Sequence, residues 1–144
     1  MNKKVGALVA LSISAGIAIG ILASQTVGAQ PKPITRIELL NVDLEGLQGK
    51  EAHMYTVELA PGVLTPRHWH PGHYFAYVLE GSGFMEEEGN APISLQPGTP
   101  YYIYSDASKP AYWHSGRNSS QTRSLKMFVV LISDKGQPIT IFDK

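Results

Sequence analysis

Three of the five histidines of the chain lie in one short segment, RHWHPGHYFAYVLEG, which runs from Arg67 to Gly81. His68 and His70 are separated by one residue, so on an extended strand both side chains would point to the same face. His73 follows a Pro-Gly turn, and a strongly strand-like run comes next. Imidazole nitrogens bind transition metals well, so this spacing predicts half of a metal site. Two polar side chains at a surface are the alternative explanation.

The segments that must position these histidines have the pattern of short β-strands. Runs such as HMYTVEL and SLKMFVVLIS alternate or are rich in β-branched residues, and Pro-Gly, Gly-Ser-Gly and Gly-Asn turns separate them. No segment has a convincing long helical period. Short strands at this spacing predict a sandwich, a jelly roll or a barrel.

Composition limits the classes of function. The chain has 144 residues and a formal net charge of +0, which favours one domain. Lys and Arg are not clustered, so nucleic acid is not the expected partner. The absence of cysteine excludes disulfides, thiol nucleophiles and Cys-ligated zinc. The sequence also lacks the Gly-x-Ser-x-Gly motif, a phosphate-binding loop and a nucleotide fingerprint, which argues against serine hydrolases and kinases.

Residues 1–29 are interpreted as an export signal. MNKK is positively charged, the run from Val5 to Ala23 is apolar, and Val27 and Ala29 are small residues at the −3 and −1 positions of a cut after Ala29. The apolar run is also just long enough to span a bilayer, so an uncleaved anchor is the alternative, and only this alternative implies a membrane. In both cases the remaining residues, 30–144, are expected to lie outside the cytoplasm, in the periplasm or secreted.

Two motifs resemble those of the cupin family. Gly62, followed by the His-x-His pair and then by a strand that closes at Gly81, resembles the first cupin motif. The segment HSGRN, His114 to Asn118, resembles the His-x3-Asn end of the second motif, although an insertion precedes it. The resemblance covers about Ile34 to Phe142. It implies an all-β fold for residues 30–144, a cupin-type jelly-roll β-barrel with a metal inside.

The resemblance also implies a ligand set. The family pattern of His, His, Glu and a later His falls here on His68, His70, Tyr74 and His114, so three histidines remain as metal ligands. A neutral phenol, with a pKa near ~10, is a poor ligand. Tyr74 is therefore expected to hydrogen-bond a molecule on the metal or to pack. His73 would replace the missing Glu only if the Pro-Gly turn rotates it inward, and otherwise it is a rim residue.

Two functions of different classes follow from these expectations. The first is an enzyme for a small organic molecule, dioxygenase-, isomerase- or lyase-like. It would use divalent iron, zinc, copper, nickel or manganese as a Lewis acid or oxygen-activating centre, with Tyr74 and His73 as catalytic groups that supply a proton or a hydrogen bond. The second is a non-catalytic module that binds a metal or ligand for sensing or storage, because one barrel hosts many functions. A homodimer is left open.

The export signal is tested at the N-terminus of the exported protein. N-terminal sequencing should begin at Gln30, because the small residues that end at Ala29 form the cleavage site. A chain that still begins at Met1 and sediments with membranes would show instead that the segment is an uncleaved anchor.

Overall fold

The computed structural model describes residues 33–144, so the segment interpreted as an export signal lies outside the described residues. Strands dominate this part of the chain, as the alternating sequence predicts. The strands are β1 (Ile34–Asp43), β2 (Lys50–Leu59), β3 (His68–Trp69), β4 (Gly72–Glu80), β5 (Gly83–Glu87), β6 (Ile93–Leu95), β7 (Pro100–Ser105), β8 (His114–Asn118), β9 (Leu125–Asp134) and β10 (Ile141–Phe142). Within residues 33–144 there is no helix that is long and apolar enough to cross a membrane.

Two antiparallel sheets form the molecule. The first sheet has the order β1-β2-β9-β4-β7, and the second has the order β10-β3-β8-β5-β6. Strands that are distant in sequence are neighbours in each sheet, as in a double-sheet jelly roll. The predicted all-β jelly-roll fold is therefore confirmed.

Strand β9 shows how the core is built. It lies in the middle of the first sheet, and its residues alternate between buried and half-buried along the whole strand. Leu125, Val129 and Leu131 are fully buried between the sheets. Since successive side chains of a strand face opposite sides, the residues between them cover the outer face of the sheet. Each buried leucine or valine stabilises the fold by about 1.5–3 kcal/mol.

Asn118 ties the two sheets together at the end of β8. Its side chain is 1% exposed, and its Nδ2 donates to the carbonyl oxygens of Leu59, Ala60 and Arg123 at 3.0, 3.0 and 2.8 Å. Its Oδ1 accepts from the backbone N–H of Ser120 at 3.0 Å. The asparagine of the second motif is thus a buried structural residue, which fixes β8 against the end of β2.

Replacing Asn118 should destabilise the protein. Asn118→Ala leaves buried carbonyl groups without a donor, at a cost of about 1–3 kcal/mol for each unsatisfied group. Urea unfolding should show this loss in the free energy of unfolding. Asn90→Ala is the matched control, because the Asn90 side chain is exposed and bonds only Glu87 three residues away. Equal stability of the two variants would contradict this role for Asn118.

Candidate metal centre

Three histidines from two distant motifs meet between the sheets. His68 on β3 is the direct antiparallel partner of His114 on β8, so both side chains lie on the same face. His70 follows β3 immediately, and one nitrogen from each of the three rings lies within 4.8 Å of the others. The ring centroid of His68 is 4.5 Å from that of His114 and 5.0 Å from that of His70. The structure therefore brings together the three expected ligands.

The chain changes sheets between His70 and Tyr74. Gly72 begins β4 in the first sheet with φ +100°, and a Cβ on this residue would lie 2.2 Å from the carbonyl oxygen of Ile132. Only glycine fits such a backbone position. The turn brings the ring of Tyr74 back onto the histidines, where it stacks on His70 with centroids 4.1 Å apart and planes at 8°.

Backbone carbonyl groups orient two of the three imidazoles. Nδ1 of His68 lies 2.6 Å from the carbonyl oxygen of Pro66, and Nδ1 of His70 lies 2.6 Å from that of Ile139. A carbonyl oxygen only accepts, so each Nδ1 carries the proton and each Nε2 keeps its lone pair. This is the arrangement that orients histidines which bind metals.

His114 differs from the other two histidines. It is 1% exposed, and neither of its ring nitrogens has a hydrogen-bond partner within residues 33–144. The backbone of Tyr112 is near enough to raise the pKa of His114 in part, but it makes no well-formed hydrogen bond with the ring. Buried polar atoms are rarely left without a partner. Within the described residues, no group binds either ring nitrogen of His114.

Burial keeps the three imidazoles neutral. Loss of solvent, followed by the charge of His68, lowers the pKa of His114 to about 3. Burial also lowers the pKa of His70 well below 6.5, followed by the effect of its two histidine neighbours. Burial lowers the pKa of His68, although the Pro66 carbonyl opposes this. At neutral pH the lone pairs are therefore available to a cation without release of a proton from the ligating nitrogens.

His68 and His70, but not His114, line a small cavity of about 170 Å³. Its walls come from both sheets and from the C-terminal segment, and most of the lining is apolar or aromatic. The lining residues that the motifs did not indicate include Ile34, Arg36, Tyr55, Val57, Thr140 and Phe142. Arg36 could have been found from the sequence, because it shares the inward parity of Ile34 in the alternating run ITRIELL. Phe142 and Thr140 carry no such signal.

The two candidate catalytic residues take opposite positions. Tyr74 is 3% exposed and lines the cavity, and burial raises the pKa of its hydroxyl above 10.0, so it is a neutral phenol. His73 is the next residue on the strand and must point outward because neighbouring residues alternate. Its Nδ1 lies 3.0 Å from the hydroxyl oxygen of Tyr102 on the outer face. The inward rotation that would let His73 replace the missing Glu does not occur.

A larger depression of about 590 Å³ lies on the outer face of the first sheet. His73, Phe75 and Tyr104 line it, but none of the three clustered histidines does. The smaller cavity is the candidate site because clustered histidines line it, although its volume is the lesser of the two.

Comparisons with known proteins agree with this geometry. A search of the curated proteins finds no match. The fold is similar to three solved structures. DMSP lyase DddQ from Ruegeria pomeroyi is 21% identical with a TM-score of 0.52, over 63% of this chain and 42% of that one. Oxalate oxidase in complex with glycolate is 20% identical with a TM-score of 0.56, over 79% and 57% of the two chains.

The third structure is the cupin domain of an XRE family transcriptional regulator from Enterobacter cloacae, 24% identical with a TM-score of 0.53, over 71% of this chain and 97% of that one. The chain thus spans less than two thirds of the lyase and oxidase chains, and these similarities show the fold alone. The model of the cupin domain family matches residues 55–131, which run from β2 through the histidines of both motifs to β9. With more than half of its length matched by that model, the chain belongs to the cupin family.

Proposed function

We propose that this cupin binds one divalent transition metal through His68, His70 and His114 and acts as a metal-dependent enzyme on a small organic molecule. One observation carries the proposal. Three neutral imidazoles converge between the sheets, two of them line the cavity, and the third has no partner for either ring nitrogen within residues 33–144. Without a bound cation, this arrangement would leave buried polar atoms unsatisfied and destabilise the fold.

The donor set fits iron(II), zinc, copper or nickel better than magnesium or calcium, which prefer oxygen ligands. A metal in this position would polarise a substrate oxygen or bind oxygen. The residues of the chain would supply the proton or hydrogen bond and exclude water. Tyr74 presents a neutral hydroxyl that can donate a hydrogen bond or a proton, and the apolar walls exclude water from the reacting group.

Two of the similar folds belong to a lyase and an oxidase, which supports an enzyme. One observation favours the second candidate, a non-catalytic binding module. Within the described residues the cavity wall contains no Asp or Glu, so Tyr74 and Tyr55 are its only proton-transfer groups apart from the histidines. The regulator domain with a similar fold is consistent with a sensing role. Oxygen-uptake and substrate-turnover screening of the metal-loaded protein distinguishes the two functions. We also propose that the protein works outside the cytoplasm, because of the signal-like residues 1–29.

The metal site is tested by metal analysis. The purified protein should contain about one divalent transition metal per chain, and the double variant His68→Ala/His70→Ala should lose it, because a single remaining imidazole does not hold a cation. His73→Ala is the matched control, since His73 comes from the same segment but lies on the outer face. Full metal content in the double variant, or loss in the control, would refute the assignment.

The role of Tyr74 is tested by two substitutions. Tyr74→Phe should keep the metal content of the natural protein, because the ring still stacks on His70 and only a hydroxyl is lost. Tyr74→Glu should add a hard oxygen ligand and increase the uptake of manganese relative to zinc in competition. If Tyr74→Phe strips the metal, the hydroxyl is itself a ligand, and the three-histidine assignment is wrong.

A further inference from the structure

Within residues 33–144, the wall of the cavity carries a positive charge and no negative charge. Among residues 33–144, Arg36 is the only permanently charged side chain that lines the cavity, and no carboxylate lines it. Arg36 takes part in none of the ion pairs of this part of the chain. The nearest acid along the same face of β1 is Glu38, whose Oε2 lies 3.5 Å from Nδ1 of His53 instead.

Arg36 lines the same cavity as His68 and His70. Its Cζ lies 5.8 Å from the ring centroid of Tyr55, on the wall of the cavity. The hydroxyl of Tyr55 is buried and has no hydrogen-bond partner within the described residues, so this wall holds a second unused donor.

We propose that the cavity selects small organic carboxylates, with Arg36 binding the carboxylate while the rest of the molecule faces the three histidines. This inference rests on the proposed metal site. A dication held by neutral imidazoles keeps its full charge, and Arg36 adds a second positive group, so cations are repelled and anions attracted. The planar guanidinium matches a carboxylate with two parallel hydrogen bonds. The volume of about 170 Å³ suits a molecule of a few carbon atoms.

The experiment compares two- to four-carbon carboxylates, such as lactate, with their neutral amides, such as lactamide. Calorimetric titration of the zinc-loaded protein should show that at least one carboxylate binds more tightly than its amide. Arg36→Gln should weaken that carboxylate about 10- to 100-fold, the effect of losing a charge-assisted hydrogen-bond pair, without changing the affinity of the amide or the zinc content. Arg67→Gln is the control, because Arg67 does not line this cavity and is paired with Glu88.

The outcomes separate the two proposals. If the protein binds no zinc at the histidines, the proposed function fails. If zinc binds one per chain but no carboxylate binds better than its amide, or Arg36→Gln leaves carboxylate affinity unchanged, the carboxylate inference fails and the metal site stands.

Discussion

The pairing of His68 with His114 fixes the candidate site, and it does so through a strand of only two residues. Strand β3 lies between β8 on one side and β10 on the other, and it has too few backbone hydrogen bonds to hold a register alone. A slip of one residue would turn His68 to the opposite face of the sheet. The register therefore depends on the neighbours of β3. Asn118 secures the far end of β8, and Gly72 secures the crossing of the chain into the first sheet.

Burial of these imidazoles has an energetic cost that the fold must offset. Within residues 33–144 the nitrogens of His114 have no hydrogen-bond partner, whereas the Nδ1 atoms of His68 and His70 donate to carbonyl groups. The same burial depresses the pKa of each ring, so protons compete weakly for the lone pairs. Tyrosine in place of the family's Glu removes a negative charge from this site, and the cavity becomes positive overall once a dication is present.

Local sequence predicted the parts of the structure that depend on backbone geometry. The alternation of apolar residues gives the strands and their buried faces, and the motif spacing gives the three histidines and the inward position of Tyr74. Contacts between distant segments could not be predicted from the local sequence. The carbonyl of Ile139 that orients His70 carries no side-chain signature. The alternation of β1 predicts that Arg36 points inward, but it does not predict that Arg36 shares a cavity with His68 and His70. His73 points outward because β4 begins at Gly72, a boundary that depends on pairing with β9 and β7.

The hydrogen bond from His70 to Ile139 also bears on the order in which the protein matures. The acceptor lies 69 residues after His70 in the sequence, and Phe142, which pairs with His68, follows it. The ligands therefore reach their final orientation only after residues 139–142 have been synthesised and have docked beside β3. A chain that folds after export would complete its site in the destination compartment, so the cation it acquires would reflect the metals available there rather than those of the cytoplasm.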